Sequence, residues 1–279
     1  MRFLLATCRT KPALTPGDGH LAAALRDLGA KVVAAPWDTI EPAGDEGVVC
    51  LRSTWDYHLR WDEFRSWVGK FENPGRLWNP PSTVLWNADK LYLRDLASAG
   101  IALPRTEWFE PSDRPSVPGL LEAWGADRAV LKPRVSATAY GTHMVSRDRG
   151  IDTADWPALE RSGCLLQLFV PEIQSRGEIS LVFLDGGFSH AVRKRPVADD
   201  FRVQADFGGS LEPATPVGDT IGFGEAVLAA AGRPWLYARV DLVETDRGPV
   251  LMELELIEPD LFLTPEGAAR LAEGLIRQT

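Results

Sequence analysis

Two runs near the C-terminal end restrict this chain more than any other part of it. They are Tyr237-Ala-Arg-Val-Asp-Leu-Val and Pro249-Val-Leu-Met-Glu-Leu-Glu-Leu-Ile-Glu-Pro259, separated by the polar break Glu244-Thr-Asp-Arg-Gly. Both alternate with a period of two, which reads as strand. The break is short and carries Gly248, so the strands are expected to pair as an antiparallel hairpin. In the first strand Ala238, Val240 and Leu242 share one side, and Arg239 and Asp241 the other. In the second, Val250, Met252, Leu254 and Leu256 are expected on one side, and Leu251, Glu253, Glu255 and Ile257 on the other. A turn near Arg247 sets Asp241 opposite Glu253 and Arg239 opposite Glu255. Like charges opposed across a sheet are destabilising, so three carboxylates on one face need counter-charge. Arg239 supplies one. The remainder is met either by water, as on many acidic strand faces, or by a hard divalent cation with oxygen ligands.

The totals narrow the function classes. A chain of 279 residues can bury a sizeable core, as two domains or one large one. A net charge of −9 argues against a phosphate-backbone binder, so no nucleic-acid partner is expected, though a local basic pocket is compatible with it. Cys8, Cys50 and Cys164 are far apart and lie in apolar runs, which fits buried thiols in a reducing cytoplasm rather than disulfides or zinc. No apolar run is long enough for a signal peptide or a membrane span, and no membrane partner is expected.

Read in order, residues 2–8, a helix through Leu21, Ala24, Leu25 and Leu28, and Lys31-Val-Val-Ala-Ala form a β-α-β opening of a parallel sheet. Asp18 is the expected helix cap and Gly29 its stop. The first turn lacks G-x-G-x-x-G, so a dinucleotide fingerprint is absent. A third strand, 47–52, runs into Arg52-Ser-Thr-Trp-Asp-Tyr-His58. Ligands of such sheets sit beyond the strands' carboxyl ends, so Arg52, Ser53, Asp56 and Tyr57 are substrate-loop candidates. A loop held by its own hydrogen bonds is the other reading. Residues 60–71 read as a helix with core aromatics, Asn79-Pro-Pro as a loop, and Lys90 to Ala99 as a helix. Arg128-Ala-Val-Leu-Lys-Pro133 reads as a strand with Lys132 near its end. After it, Arg134 to Thr142, with Ser136, Gly141 and Thr142, suits a loop whose amides approach phosphate oxygens. Cys164 to Val170 is an apolar strand that ends at a proline and leaves backbone groups for a purine edge. Strands around the turn Asp185-Gly-Gly lead to Lys194 and Arg195, and these basic residues suggest a local anion pocket. Helices are expected over about 219–231 and 265–277.

The order of these pieces resembles the ATP-grasp superfamily of carboxylate–amine ligases over roughly residues 75–260. Arg52 to His58, Asp200 to Gln204 with Phe207-Gly-Gly209, and Leu251 to Pro259 are most similar to the subgroup of D-cycloserine-forming cyclo-ligases and ribosomal-protein glutamate ligases. The resemblance implies a mixed α/β (α+β) fold with an N-terminal parallel α/β domain (1–100), a central lid (101–170) and a C-terminal antiparallel-sheet domain (171–279). It implies that Lys90 and Lys132 contact phosphates and that the loop from Ser136 through Gly141 to Thr142 covers them. Gln167, Phe169 and Val170 would hold adenine, and Glu178 the ribose. Asp241, Glu253 and Glu255 would bind metal, and Arg202 would face the γ-phosphate. The commoner family ending is Glu-x-Asn, so Glu255 is a departure.

The implied cofactors are ATP and one or two Mg²⁺, with Mn²⁺ as a substitute. The implied partner is a small amino acid or peptide, bound by a monomer or homodimer. The expected reaction turns a carboxyl group into an acyl phosphate and then forms a C–N bond, intermolecular or ring-closing, releasing ADP and phosphate. Lysines, Arg202, Arg239 and metal would offset the meeting of two anions, with no protein nucleophile needed. His58 and His190 are candidate proton acceptors. A catalytically silent nucleotide-binding module and a phosphoryl transferase on the same fold are the alternatives.

Overall fold

The computed structural model describes residues 1–42, 47–73, 75–148, 156–197 and 208–278. Three sheets are formed among them. The first joins β1 (Arg2–Thr7), β2 (Lys31–Pro36), β3 (Val48–Leu51) and β4 (Leu77–Trp78), all parallel, in the order β2-β1-β3-β4. Helix α1 (Pro16–Asp27) makes the first crossover. Its cap is Thr15, whose hydroxyl accepts from the Asp18 amide at 3.1 Å. Asp18, expected as the cap, lies inside the first turn and is buried. Helix α2 (Trp61–Val68) delivers Phe64 and Trp67 to an aromatic core with Trp37 and Phe71 on one face of this sheet.

The expected loop at Asn79-Pro-Pro is instead the start of α3 (Pro81–Asn87). Pro81 stands at a first-turn position, where a missing N–H costs nothing and the fixed φ favours the helix. Lys90 stands in the turn before α4 (Tyr92–Ser98) rather than within the helix.

The second sheet is antiparallel, in the order β5-β8-β6-β7, from β5 (Thr106–Phe109), β6 (Arg128–Pro133), β7 (His143–Ser146) and β8 (Cys164–Leu168). Helices α5 (Val117–Trp124) and α6 (Trp156–Ser162) accompany it. The short α7 (Glu172–Ser175) leads to the third sheet. That sheet is also antiparallel and joins β9 (Glu178–Leu184), β10 (Gly187–Arg195), β11 (Ser210–Ala214), β12 (Tyr237–Thr245) and β13 (Gly248–Glu255) in the order β11-β10-β9-β12-β13. Asp185 and Gly186, at φ 48 and 82, turn β9 into β10, both in the left-handed region that a two-residue hairpin turn requires. Helices α8 (Thr220–Ala231) and α9 (Pro265–Arg277) complete the chain.

The C-terminal hairpin has the expected register, with Arg239 opposite Glu255 and Asp241 opposite Glu253. The alternation does not run through it unbroken. The register shifts between Asp241 and Leu242, so Met252 is the extra residue of a β-bulge. One added residue moves the preceding side chains to the other face. Leu251, expected beside the acids, therefore joins Leu254 and Leu256 in the core against α4 and α8. Val250 and Met252 turn instead toward Val130, Phe169, Val170 and Ile173 between the second and third sheets.

Two buried asparagines fix the hairpin's exit. Asn79 donates to the Tyr237 and Leu256 carbonyls at 2.9 and 2.7 Å and accepts from the Leu236 amide at 2.8 Å. Asn87 donates to the Leu254 carbonyl at 2.8 Å and accepts from the Leu256 amide at 2.7 Å. Asn87 precedes Lys90 by one turn, so this staple sets Lys90 beside Glu253. Helix α9 returns to the first sheet, where its Ala268, Leu271 and Leu275 share a core with Phe3, Leu5 and Leu21.

Candidate active site

A cavity of about 310 Å³ lies between the second and third sheets and opens toward the first. Its wall includes Lys90, Lys132, Ser136, Thr142, Gln167, Phe169, Val170, Glu178, Arg239, Asp241, Glu253, Glu255 and Tyr57, all anticipated from the sequence. Gly141, also expected at the phosphates, does not line the cavity and takes a left-handed φ of 64 in the loop. Arg202 lies outside the described residues.

The lysines are held by the elements that carry them. The Lys90 amide donates to the Arg134 carbonyl at 3.0 Å, which ties its turn to the start of the loop after β6. Lys90 Nζ donates to the Ser136 carbonyl at 2.8 Å and pairs with Glu253 at 3.2 Å. Lys132 Nζ donates to Gln167 Oε1 at 3.0 Å across neighbouring strands. Burial holds the Lys132 ammonium below its usual range, with Lys90 adding to the effect.

The acids expected to bind metal reach one wall but are not equivalent there. Asp241 accepts from Ser180 Oγ at 2.5 Å, Lys194 Nζ at 3.1 Å and Arg239 Nε and Nη2 at 3.0 and 2.9 Å. Burial alone would raise its pKa, but Arg239 and Lys194 overcome that and hold it well below the carboxylate range. Glu255 bonds Arg239 Nη2. Burial, with Asp241 and Glu253 nearby, pushes Glu255 up to about 7 against the opposing pull of Arg239. Among the described residues, no group of three His, Cys, Asp or Glu side chains is arranged to hold a metal ion. The donor set that fits a hard cation is Glu253 with Glu255. Their side chains keep 33% and 27% exposure on the cavity, and two carboxylates plus ligand phosphates suit Mg²⁺.

Lys194, noted in the sequence only as part of a basic stretch, is a member of the site. Its Nζ pairs with Glu178 at 2.5 Å and Asp241 at 3.1 Å. Burial raises the Glu178 pKa even with Lys194 opposing it, and the two acids raise that of Lys194 against its own burial. Glu178, Lys194, Asp241, Arg239 and Glu255 thus form an alternating chain of charges, with Lys90–Glu253 beside it. Six acids (Glu178, Asp241, Glu253, Glu255, Glu258, Asp260) and five bases (Lys11, Lys90, Lys132, Lys194, Arg239) line the cavity.

At the apolar end the cavity runs along Val130, Phe169, Val170, Ile173 and Met252. The backbone groups expected to be free after β8 are partly engaged. The Leu168 amide donates to Arg105 at 2.7 Å, and the Val170 carbonyl accepts from Ile173 at 3.2 Å.

The substrate-loop expectation divides. Tyr57 lines the cavity, joined by Trp55, while Arg52, Ser53 and Asp56 do not. Arg52 is 1% exposed, donates to Asp18 at 2.7 Å and to the Pro259 carbonyl at 2.8 Å, and lies over the Tyr237 ring. A guanidinium at the end of β3 reaches the first turn of α1, where Asp18 neutralises it. Ser53 is fully buried, and Asp56 accepts from the Trp37 indole at 2.8 Å. His190 bonds the Leu261 carbonyl at 2.9 Å, away from the cavity. His58 is buried against the Tyr140 ring, with centroids 5.0 Å apart.

Residues 3–79 match the family described as D-cycloserine synthetase DcsG, N-terminal domain. The chain is 30% identical over 284 residues to the cycloserine biosynthesis protein DcsG of Streptomyces lavendulae, covering 91% of this chain and 91% of that protein. It is 29% identical over 185 residues to a probable alpha-L-glutamate ligase of Xanthomonas campestris pv. campestris, covering 63% of this chain and 60% of that one. The crystal structure of D-cycloserine synthetase DcsG superposes with a TM-score of 0.85 at 27% identity, covering 100% of both chains. A D-alanine–D-alanine ligase from Bacillus anthracis shares the fold, at a TM-score of 0.69 and 16% identity over 99% of this chain and 96% of that one.

Proposed function

The chain belongs to the D-cycloserine synthetase family of ATP-grasp ligases, and from that premise we propose that it closes a ring on a small amino acid by forming an intramolecular C–N bond. ATP-dependent C–N ligation is the activity of the class. The observation that supports ring closure is the 30% identity over 91% of both chains to the cycloserine biosynthesis protein DcsG, and the meeting of Lys90, Lys132, Lys194 and Arg239 with Glu253 and Glu255 around one cavity supports the ATP-dependent step.

In this reading the adenine lies along Phe169 and Val170, and Glu178 receives the ribose hydroxyls. Lys90, Lys132 and the loop from Ser136 to Thr142 take the phosphates. Lys194 and Arg239 face the γ-phosphate and the substrate carboxylate, where their charge offsets repulsion between the two anions. A divalent cation, Mg²⁺ or in its place Mn²⁺, would be held by Glu253 and Glu255 and would neutralise charge on the transferring phosphoryl group. A carboxylate oxygen bonds the γ-phosphorus as ADP leaves. The substrate nitrogen then bonds the acyl carbon, phosphate departs and the nitrogen gives up a proton. Arg239 would stabilise the tetrahedral oxyanion. The reading extends to a monomer or homodimer in a reducing cytoplasm, in keeping with three buried free thiols. In it, segments 1–100, 101–170 and 171–279 act as substrate-side domain, lid and metal-bearing domain. Among the described residues no helix is long and apolar enough to cross a membrane.

The test is a phosphate-release screen with ATP, Mg²⁺ and a panel of amino acids that includes O-substituted D-serines, with nucleotide products resolved by ³¹P NMR. ADP with free phosphate and a dehydrated product is expected. AMP with pyrophosphate would reject the acyl-phosphate route, and a stable phosphorylated product would move the assignment to phosphoryl transfer. Glu253→Gln should lower turnover by at least about 100-fold while the fold survives, since removing one charge-stabilising group costs on that order.

A further inference from the structure

Beyond the hairpin the cavity continues into a chamber walled by Lys11, Trp55, Tyr57, Glu258, Asp260 and Phe262. None of the phosphate-handling roles above uses it. Glu258 stands three residues past β13, and its backbone carbonyl accepts from Trp55 Nε1 at 3.1 Å. That bond fixes the residue against the loop that follows β3. Glu258 is 8% exposed. Among the described residues no side chain bonds or ion-pairs with its carboxyl, whose hydrogen-bond donor is its own backbone N–H.

This differs from every other acid on the wall. Asp241, Glu178, Glu253 and Glu255 each have a bonded cation. Asp260 is occupied as well, since its carboxylate accepts from the Phe262 amide at 2.9 Å. A buried carboxylate without a partner is expensive, and a methionine or glutamine of similar volume would fill the same space without that cost. Burial, then the Glu255 charge, hold the Glu258 carboxyl well above the usual range against the pull of Lys90, whose ammonium is paired with Glu253 instead. The partner it lacks among the described residues is a cation, and the residue lines the chamber in which one would arrive.

The neighbours say which cation. Arg239 Nη1 donates to the Asp260 carbonyl at 3.0 Å, so the guanidinium and the 258–260 turn belong to one wall. A zwitterion in the chamber meets Arg239 on one side and Glu258 on the other. Trp55 and Phe262 bound the remaining space with rings, which favours a small ligand.

We propose that Glu258 is the ammonium anchor of the substrate subsite: it binds the α-ammonium group of a small amino acid while the carboxylate faces Arg239. The inference rests on the ligase reading above and adds the recognition of the substrate's positive end. It assigns Glu258 to binding, with no covalent step.

The test uses the amino acid from the panel that drives the fastest phosphate release, together with its des-amino counterpart, which keeps the carboxylate and lacks the ammonium. The wild type should prefer the amino acid by at least about 30-fold in kcat/KM, a typical margin for a charge-assisted bond to a buried group. Glu258→Gln should shrink that preference to within about threefold and leave the KM for ATP and the Mg²⁺ dependence unchanged. Glu258→Asp, which keeps the charge, should retain most of the preference, and it replaces the glutamine variant if the latter does not fold. An unchanged preference in a folded Glu258→Gln overturns the assignment. A change that appears in Mg²⁺ dependence instead overturns it in favour of a metal role. Should no amino acid elicit phosphate release from the wild type, the ligase reading fails by itself. Calorimetric titration of the same pair then decides Glu258 separately. Equal binding of both compounds overturns the inference, and selective binding lost in Glu258→Gln sustains it.

Discussion

Lys194 is the place where the charge chain can be tested without any ligand. Its ammonium bonds both Glu178 and Asp241, and all three residues are at most 8% exposed. Lys194→Met keeps most of the stem and removes the charge. Asp241 retains Arg239 and Ser180, whereas Glu178 loses its bonded cation. A carboxylate stranded in this way escapes by taking up a proton. From an ordinary pKa of 4.5, protonation at pH 7.5 costs about 4 kcal/mol, at about 1.4 kcal/mol per pH unit. At pH 5.5 the same step costs about 1.4 kcal/mol. The sign follows from linkage. The folded variant binds a proton that its unfolded chain lacks above pH 4.5, so its stability falls as pH rises. Urea denaturation of wild type and Lys194→Met should therefore give a deficit of about 4 kcal/mol at pH 7.5 that shrinks to between 1 and 2 kcal/mol at pH 5.5. Adding Glu178→Gln should abolish that pH dependence and recover more than 1 kcal/mol at the higher pH, a coupling of the size found for bonded buried pairs. An equal deficit at both pH values, or strict additivity of the two substitutions, would refute the idea that Lys194 is the counter-ion of Glu178.

Three further outcomes follow from the same structure. Burial depresses His58 to about 4 from 6.5, so the unfolded chain binds more protons between those values. The stability His58 contributes is therefore complete above pH 6.5 and lost as pH falls toward 4. Differential scanning calorimetry across this range should show an acid limb of up to about 3 kcal/mol that flattens in His58→Phe. Glu255 has its pKa raised to about 7, and only the ionised carboxylate can ligate metal. Apparent Mg²⁺ affinity should therefore drop as pH falls below 7, and Glu255→Asn should flatten that dependence when Mg²⁺ titrations at pH 6 and pH 8 are compared. Asn79 is fully buried and satisfies Leu236, Tyr237 and Leu256 at once. Asn79→Ala should cost roughly 3 kcal/mol or more in urea denaturation, because it leaves several backbone groups unpaired.

The pairing of the two strands as a hairpin was legible because alternation and a short turn are both local properties. Counting back from the Thr245–Gly248 pair would set Asp241 opposite Met252; the residue skipped after Leu251 is what brings Glu253 opposite it, where a turn centred on Arg247 also puts it. The bulge at Met252 was not legible, since an unbroken alternation fits the same letters. What decides it is the core on the other side, where Leu251, Leu254 and Leu256 all fit only if one residue is skipped. Lys90 and Lys132 could be found because each stands beside a recognisable boundary, a turn before a helix and the end of a strand. Lys194 carried no such mark. Its role comes from Glu178 across the β9–β10 ladder and Asp241 one strand further, which are tertiary facts. Arg52 misled for the opposite reason. Its position at the carboxyl end of a parallel strand is right for a ligand, but Asp18 on α1 reaches it first. Glu258 had a signal that can be read in hindsight: a further acid in an apolar run just past the hairpin, where neither solvent nor a strand partner was available to it.

The balance of charge gives the departure at Glu255 a physical meaning. With the commoner Asn at that position, Arg239 would bond Asp241 alone among the carboxylates. Glu255 is a second carboxylate on Arg239 and bonds it from the other side. Arg239 is thereby positioned between two carboxylates before any nucleotide arrives, at the cost of a partly protonated Glu255 near neutral pH. An arriving triphosphate competes with these acids for the same lysines and arginine. Its binding is then an exchange of ion-pair partners rather than the filling of a bare positive pocket. The same exchange would free Glu253 from Lys90 and Glu255 from Arg239, the two carboxylates proposed above to hold a hard cation. Nucleotide and metal should therefore bind with positive coupling: each removes the partner that holds the other's ligands, and the two affinities rise together by the same factor.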